Sequence, residues 1–419
     1  MSHPDCDVLI VGGGLSGMSA ALALQSAGLK VTVIDPVPAE VQTAAGHDGR
    51  TTAISQSSKR MLERLGVWEA MPEPACPIGD IRVQEGGSPL FLQFDREDAG
   101  AEAMGFIADN GALKAGLYRQ AVGKDGLKVL APASVAGLEN GRGLVTATLR
   151  DGRQVTARLA LAADGRRSPT RRRAGIRTTE FSYGQTAITC TVSHARPHNG
   201  IAYEHFRPAG PFAMLPLMDA EDGSHRSCLV WSERTATAEA LLRLSDGEFA
   251  QELAEAFDGS LGALHVSGKR WAYPLGLVHA ERYIGPRLVL VGDAAHGIHP
   301  IAGQGFNLGL RDIAALADTI EDARRLGLDI GSAPVLEKYQ RWRRFDVMSM
   351  IAATDGLNRL FSNNSAAVKL LRDAGLGLVQ RIGPLKRAFM RGAMGTVGDL
   401  PRLMRDPAQR QGRRVRARG

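Results

Sequence analysis

Asp5-Cys6-Asp7-Val8-Leu9-Ile10-Val11-Gly12-Gly13-Gly14-Leu15-Ser16-Gly17 is the stretch from which the fold can be read. Residues 5–11 have the apolar, β-branched character of a short buried strand, and residues 16–27 are rich in Ala and Leu, as a helix would be. Beyond that helix, residues 30–34 read as a second strand that ends in Asp35. Strand, glycine turn, helix, strand and acid in this order make a dinucleotide site. Gly12 permits the tight turn, Gly14 lets the backbone approach a pyrophosphate at the helix N-terminus, and Gly17 lets helix and strand pack closely. Asp35 is placed to accept hydrogen bonds from ribose hydroxyls. The competing reading, a glycine turn that only joins a strand to a helix, leaves the spaced acid unexplained. The fingerprint alone does not separate NAD from FAD; its place at the start of the chain leans towards FAD.

The 419 residues exceed the usual single domain, so two closely packed domains with a terminal appendage are expected. With 44% hydrophobic and 23% charged residues, there is material for a real core. Cys6, Cys76, Cys190 and Cys228 follow no metal-like spacing and give no reason for pairing, which points to a reduced, cytoplasmic setting. Asp5 and Asp7 stand where a signal peptide would carry Lys or Arg, and glycines interrupt the apolar stretch 8–24. No other run reaches the ~18 apolar residues of a membrane-spanning helix. The formal net charge is +7, but Arg402, Arg405, Arg410, Arg413, Arg414, Arg416 and Arg418 against Asp406 put +6 of it in the last 18 residues. The body is therefore near neutral, and no nucleic-acid-binding surface is indicated.

Two later strands end in the same way. Residues 158–163 are closed by Asp164-Gly165-Arg166-Arg167-Ser168, and residues 287–291 by Gly292-Asp293-Ala294-Ala295-His296. The second continues through Gly297-Ile298-His299-Pro300-Ile301-Ala302-Gly303-Gln304-Gly305-Phe306-Asn307 into a helix expected from about Leu308. Each places a carboxylate at the carboxyl end of a strand, where ligands sit in open α/β sheets.

With these motifs the chain resembles the class A flavoprotein monooxygenases, which share the fold of p-hydroxybenzoate hydroxylase. Within them it is similar to the ubiquinone-biosynthesis hydroxylase family. Residues 299–312 match the pattern HP(L/I/V)AGQGxNxGxxD without departure, and residues 48–55 resemble DxRxxAL/IS with Ile54 as a mild variant. Tyr273-Pro274-Leu275 and the segment 354–363 fit as well, so the resemblance covers most of the chain. It implies an α/β fold: a Rossmann-like FAD-binding domain with an interleaved mixed β-sheet substrate domain and C-terminal helices. The expected parts are a discontinuous FAD-binding domain at 1–75, 100–180 and 272–333, a substrate domain at 76–99 and 181–271, a helical region at 334–401 and a basic tail at 402–419. Residues 334–361 carry Tyr339, Phe345, Val347, Met350, Ile351, Thr354, Leu357 and Phe361 near helical spacing, an aromatic and Met stripe read as core.

By matched position, the resemblance implies the FAD ribityl chain at Gly292-Asp293 and the isoalloxazine beside Gly303, Gln304, Gly305 and Asn307. Arg50 resembles the family arginine close to the flavin, and Asp164-Gly165 the element assigned to FAD and NAD(P)H contact. The physics agrees: Asp293 can accept sugar hydroxyls, and the glycines leave room for a flat ring. The N-terminus of the following helix puts positive potential near the flavin N1 and C2 carbonyl. Plainer readings stand beside these. Asp164 could only cap a turn; Asn110 either faces the flavin or caps the helix that follows it. Arg166, Arg167, Arg171, Arg172 and Arg173 read as a solvated face, and His296 with His299 lacks the third ligand of a catalytic metal site, so no metal is expected.

No nucleophile-and-base constellation stands out, as expected where a cofactor carries the chemistry. The resemblance implies FAD-dependent hydroxylation of a polyprenylated phenol or benzoquinol ring in ubiquinone biosynthesis through a flavin C4a-hydroperoxide. O2 is the oxidant, and NAD(P)H or another donor the reductant. Partners would be other ubiquinone-biosynthesis proteins and the cytoplasmic membrane surface. Two alternatives remain: a hydroxylase of another phenolic compound, and a non-catalytic FAD-stabilised scaffold; a flavin halogenase is disfavoured because no WxWxIP element occurs. The basic C-terminus, which follows an amphipathic stretch at 368–394, suits an anionic bilayer, although docking and plain solvation would use the same residues. Basic residues near such a surface contribute about 1 kcal/mol each. Deleting residues 410–419 is therefore expected to weaken binding to anionic vesicles, more steeply as salt rises, with FAD content unchanged. Co-sedimentation checks this, and equal binding at low ionic strength would remove the tail from the membrane hypothesis.

Overall fold

The computed structural model describes residues 3–44, 48–85, 91–141, 143–298, 303–361 and 383–406. Residues 299–302 of the family run, residues 362–382 of the amphipathic stretch and the tail from 407 onward lie outside the described residues.

Cys6–Val11 pairs in parallel with Val31–Ile34 on one side and Gln154–Ala162 on the other. Val8, Leu9 and Ile10 have no exposed surface, as a central parallel strand covered on both faces requires. Leu288–Leu290 and Leu127–Leu130 extend the parallel set. Antiparallel Ile284–Gly285 and the hairpin Val135–Asn140 with Val145–Leu149 complete eight strands. The register sets Val11 against Ala162 and Ala162 against Leu290. Three motifs spread over nearly the whole chain thereby finish on one edge. The turn at Gly12 has φ +105°, and a Cβ on Gly17 would lie 1.8 Å from the Gly12 carbonyl oxygen. Helix Leu15–Ser26 can therefore cross the strand end only with glycine at that contact.

A second eight-stranded sheet runs in the order His296–Gly297, Leu264–Ala280, Thr178–His194, His225–Arg234, Gly210–Pro216, Ile201–Arg207, Asp80–Glu85, Phe91–Asp95. The two 17-residue strands Thr178–His194 and Leu264–Ala280 pair antiparallel along their length. The divisions expected at 180/181 and 271/272 fall inside these two strands, which both belong to the second sheet. Among the described residues of the 76–99 insertion, only Asp80–Glu85 and Phe91–Asp95 join this sheet. Cys76–Ile78 pairs instead with Gly105–Asp109, which also pairs with Thr51–Ile54, because Ile78 buries in the cluster of Met104 and Ile107; Arg96–Ala99 is a short helix.

The helix expected from Leu308 begins one turn earlier, as Gln304–Arg325, because Gly303 at φ +62° provides the left-handed entry. Helix Ala333–Phe361 is present as expected. Its stripe needs correction: Tyr339 and Val347 are buried, but Phe345 is 76% exposed. Arg343 takes the inward position instead, fully buried against Asp312. The first residues of the expected tail are docked. Arg402 bonds the Asp318 and Asp322 carboxylates, and Arg405 donates to the Leu400 carbonyl, so both are docked on helix Gln304–Arg325 or its surroundings.

Asp312 is the buried hub of these packings. Its Oδ1 accepts from Arg343 Nε at 2.7 Å; its Oδ2 lies 2.6 Å from His296 Nε2 and 3.0 Å from the Gly292 amide. Desolvation opposes the charge, but His296 and Arg343 together hold the carboxyl below its usual range. The stability it contributes is thus present above the ordinary aspartate range and is lost as pH falls through the lowered value. Removing one member strands the others without water. Arg343→Leu is expected to cost about 3–5 kcal/mol, read as a lower denaturation midpoint in urea, with the Arg343→Leu/Asp312→Asn pair costing less than the sum of the single variants.

Candidate active site

The three strand ends and the second sheet enclose a cavity of ≈ 1640 Å³. That exceeds the about 300–1,000 Å³ of an ordinary small-molecule pocket, so a dinucleotide and a second ligand have room together. Helices Leu15–Ser26 and Gln304–Arg325 both begin on this cavity, with no side-chain cap and no acid in the first turn. Their first N–H groups are left for an anion or a polar ligand edge. A Cβ on Gly14 or Gly305 would meet nothing within 4 Å, so at both places the backbone stands open to the space it lines. Gly303 is held to glycine for a different reason: a Cβ would lie 2.6 Å from Ala53 Cβ.

Arg50 is clamped by Asp48 through two 2.7 Å hydrogen bonds, from Nε and from the terminal nitrogen, and lies 5.2 Å from the centre of the Tyr273 ring. Burial opposes charge on Asp48, yet Arg50, Lys114 and Asn110 hold its carboxyl below the usual range. The same ion pair raises Arg50. Asn110 donates to Asp48 and accepts from Thr52, while Asp109 caps the helix through the amides of Gly111 and Ala112. The capping reading of Asn110 is therefore corrected: its side chain faces the cavity. Asp293 is open to the cavity although protein surrounds it. Desolvation raises its carboxyl above the usual range, against the pull of His296, Arg166 and Arg50.

Of the residues singled out from the sequence, Gly14, Arg50, Asn110, Gly165, Asp293, Gly303, Gln304, Gly305 and Asn307 line the cavity. Gly12, Gly17, Asp35, Asp164 and Gly292 stand behind its wall. Asp35 accepts from the amides of Gly13 at 2.6 Å and Val37 at 2.8 Å, fixing the glycine turn. Asp164 turns inward to Ser168 Oγ and the Thr170 amide, which is the turn-capping role. Asn307 joins the start of its helix to Thr51–Ile54: its Oδ1 accepts from the Ser55 amide and its Nδ2 donates to the Ala53 carbonyl. The solvated-arginine reading fails at Arg171, which is 3% exposed and donates to the carbonyls of Ala294 and Arg166. Arg166 lines the cavity and bonds the Gly276 carbonyl. Arg171 lies on the short helix Pro169–Arg173 and is buried against the turn at Ala294, a contact invisible in the local pattern that reverses the expectation. Among the described residues no group of three or more His, Cys, Asp or Glu could hold a metal ion, and His296 is engaged with Asp312.

The far half of the cavity is apolar, walled by Ile81, Val83, Leu92, Phe94 and Leu215, with Met390 brought in by helix Gly383–Ala393. Glu204 stands among them. No motif marks it; the signal that could have found it is strand alternation, which turns Ala202, Glu204 and Phe206 to one face.

Two sheets in this topology, with glycine turns converging on one cavity, define an FAD-binding oxidoreductase of the aromatic monooxygenase type. Residues 5–353 match the FAD binding domain family. The chain is similar in fold to p-nitrophenol 4-monooxygenase PnpA from Pseudomonas putida, with TM-score 0.75 and 20% identity over 93% of this chain and 98% of that one. It is 48% identical to ubiquinone hydroxylase UbiL of Rhodospirillum rubrum over 95% of this chain and 92% of that protein. It is also 34% identical to the 3-demethoxyubiquinol 3-hydroxylase of Escherichia coli, over 94% and 100%. The chain belongs to the ubiquinone-biosynthesis hydroxylase family of FAD-dependent aromatic monooxygenases, as its motifs led us to expect.

The open face at Gly14 makes a selective test, since a larger side chain there fills ligand space rather than protein. Gly14→Val and Asp293→Ala are each expected to weaken FAD binding by about tenfold or more, equivalent to at least 1.4 kcal/mol, while circular dichroism shows an intact fold. The ratio of flavin to protein absorbance checks this, and full loading of both variants at wild-type affinity would refute the assignment.

Proposed function

We propose that this protein hydroxylates the aromatic ring of a polyprenylated phenol or benzoquinol intermediate of ubiquinone biosynthesis. The observation that carries the reading is one continuous cavity, with helix N-termini and charged groups at one end and an apolar sheet face at the other. Bound FAD, once reduced by NAD(P)H or another donor, supplies O2 activation and transfer of one oxygen atom. The chain's own residues do the rest. The N-terminus of Leu15–Ser26, opened by Gly14, receives the pyrophosphate, and Asp35, Gly12 and Gly17 hold that turn in shape. Asp293 accepts from the ribityl hydroxyls. The first turn of Gln304–Arg325, from Gly303 to Asn307, would place positive potential beside a flavin ring held in the cavity. Arg50, oriented by Asp48, adds a fixed positive charge at the junction of the two halves. Asp164 and Gly165 shape the neighbouring turn. The apolar half takes the ring and its prenyl chain and excludes water from the reacting centre.

The reading includes a cytoplasmic protein that meets its substrate at the membrane surface, together with other proteins of the pathway. Among the described residues no helix is long and apolar enough to cross a membrane. Helix Gly383–Ala393 supports a peripheral approach: it turns buried Met390 to the cavity and exposed Arg387 and Arg391 outward.

Purified protein supplied with a reductant is expected to consume O2 and form a hydroxylated product only when a prenylated phenol is present. Each CH2 buried in the apolar half contributes about 0.8 kcal/mol, so kcat/KM should rise at least about tenfold from the bare phenol to its prenylated form. Faster turnover of bare phenols would favour a soluble phenolic substrate. FAD binding without any turnover, together with normal quinone intermediates in a deletion strain, would favour a scaffold.

A further inference from the structure

Glu204 is a carboxylate in an apolar wall. On the cavity face of the second sheet its cross-strand neighbours are Val83 and Ala213, and Ala202 and Phe206 flank it along its own strand. Among the described residues it makes no hydrogen bond or ion pair, and no charged group acts on it from either neighbouring strand. Arg82 and His205 belong to the opposite face, where Arg82 lies over Tyr203 and His205 stacks on Phe212 and Phe257. The charged groups that share the cavity include Asp48, Arg50, Lys114, Arg166 and Asp293, and burial, not any of these charges, sets the state of Glu204. Among the described residues such a group has no structural partner to justify its burial, and a packed Leu or Val would suit the wall better. Its one open direction is the cavity.

We propose that Glu204 is the base that takes the proton from the ring hydroxyl of the phenolic substrate. The proposal rests on the hydroxylase reading above and adds a catalytic residue to it. In this step the substrate O–H bond breaks and an O–H bond forms on the Glu204 carboxylate. The bonding pair stays on the ring oxygen and raises electron density at the ortho and para carbons, where an electrophilic oxygen attacks. No electron changes owner, and the proton returns to the ring oxygen or passes to water when the product is aromatic again. The surroundings tune the group for the task. Burial alone pushes Glu204 up to about 8, closer to the ~10 of a phenol than an ordinary glutamate near 4.3, which improves the match for proton transfer.

The test uses the FAD-loaded full chain and Glu204→Gln and Glu204→Asp, with 2-allylphenol as probe. Enzyme reduced anaerobically with dithionite is mixed with O2 and the probe, and hydroxylated product per flavin is followed with pH; separately, the ultraviolet phenolate band of bound probe is titrated on oxidised enzyme. Wild type is expected to show a rate that rises with pH through about 8 and a bound phenol that ionises below its solution value. Glu204→Gln should lose that limb and the phenolate band, with a rate about 10²–10³-fold lower, within the range of general base catalysis, and unchanged FAD content. Glu204→Asp should keep a limb. The same limb and the same bound-phenolate titration in Glu204→Gln would overturn the proposal. Absence of product from wild type would count against the phenolic substrate class instead, while the phenolate titration would still decide the role of Glu204.

Discussion

A buried aspartate at position 312 accepts from a histidine, an arginine and a backbone amide, and the geometry of the site hangs on that arrangement. Its carboxylate is entirely removed from water, a state tolerable only while His296, Arg343 and the Gly292 amide all point at it. Each donor comes from a different place. Gly292 belongs to the turn that projects Asp293 into the cavity. Arg343 belongs to helix Ala333–Phe361, which Tyr339 also ties to the first sheet through the Leu290 carbonyl. His296 opens the strand that pairs with Val278 and His279 of the second sheet. One carboxylate therefore sets the position of the turn, the covering helix and the second sheet relative to helix Gln304–Arg325.

The two halves of the cavity follow from how the sheets are built. Parallel strands deliver their carboxyl ends, and with them glycine turns and helix N-termini, to a single edge. That edge carries the uncapped N-termini of helices Leu15–Ser26 and Gln304–Arg325 and suits a polar, anionic ligand. The second sheet presents a face rather than an edge, so its backbone groups are paired within the ladder and only side chains meet the ligand. Alternation then makes the far part of that face largely apolar, with Glu204 a carboxylate among Val83, Ala202, Phe206 and Ala213. The strands Thr178–His194 and Leu264–Ala280 of that sheet both contribute residues to the cavity, Ala187 and Thr189 from one and Tyr273 to Val278 from the other.

Much of the nucleotide half was legible in the sequence because its requirements are local. A glycine that must clear a carbonyl, a helix that must start without a cap, and an acid that must sit at a strand end each leave a mark within a few residues. Gly12, Gly14, Gly17 and the run from Gly303 to Asn307 are of this kind, and the resemblance they carried led to the right family. The local marks misled where a residue's surroundings come from elsewhere. Arg171 sits in a run of arginines, yet it is buried with its guanidinium on the carbonyls of Ala294 and Arg166. Phe345 looked like core, but Asp312, 33 positions earlier, draws Arg343 inward and turns the helix. Asp164 is motif-like, and its oxygens are spent on its own turn.

The sequence by itself determined the parallel sheet, the dinucleotide turn, the family and the class of chemistry, since these depend on hydrophobic periodicity and on short spacings that the chain carries along its length. Only the tertiary structure decided which of those residues reach the ligand and which stand behind them. It alone revealed the Asp48 clamp on Arg50, the docking of Arg402 and Arg405, and the isolated carboxylate of Glu204. The reason is physical: an ionisable group's behaviour is set by desolvation and by the charges around it, and both arise from segments far away in sequence that folding brings together.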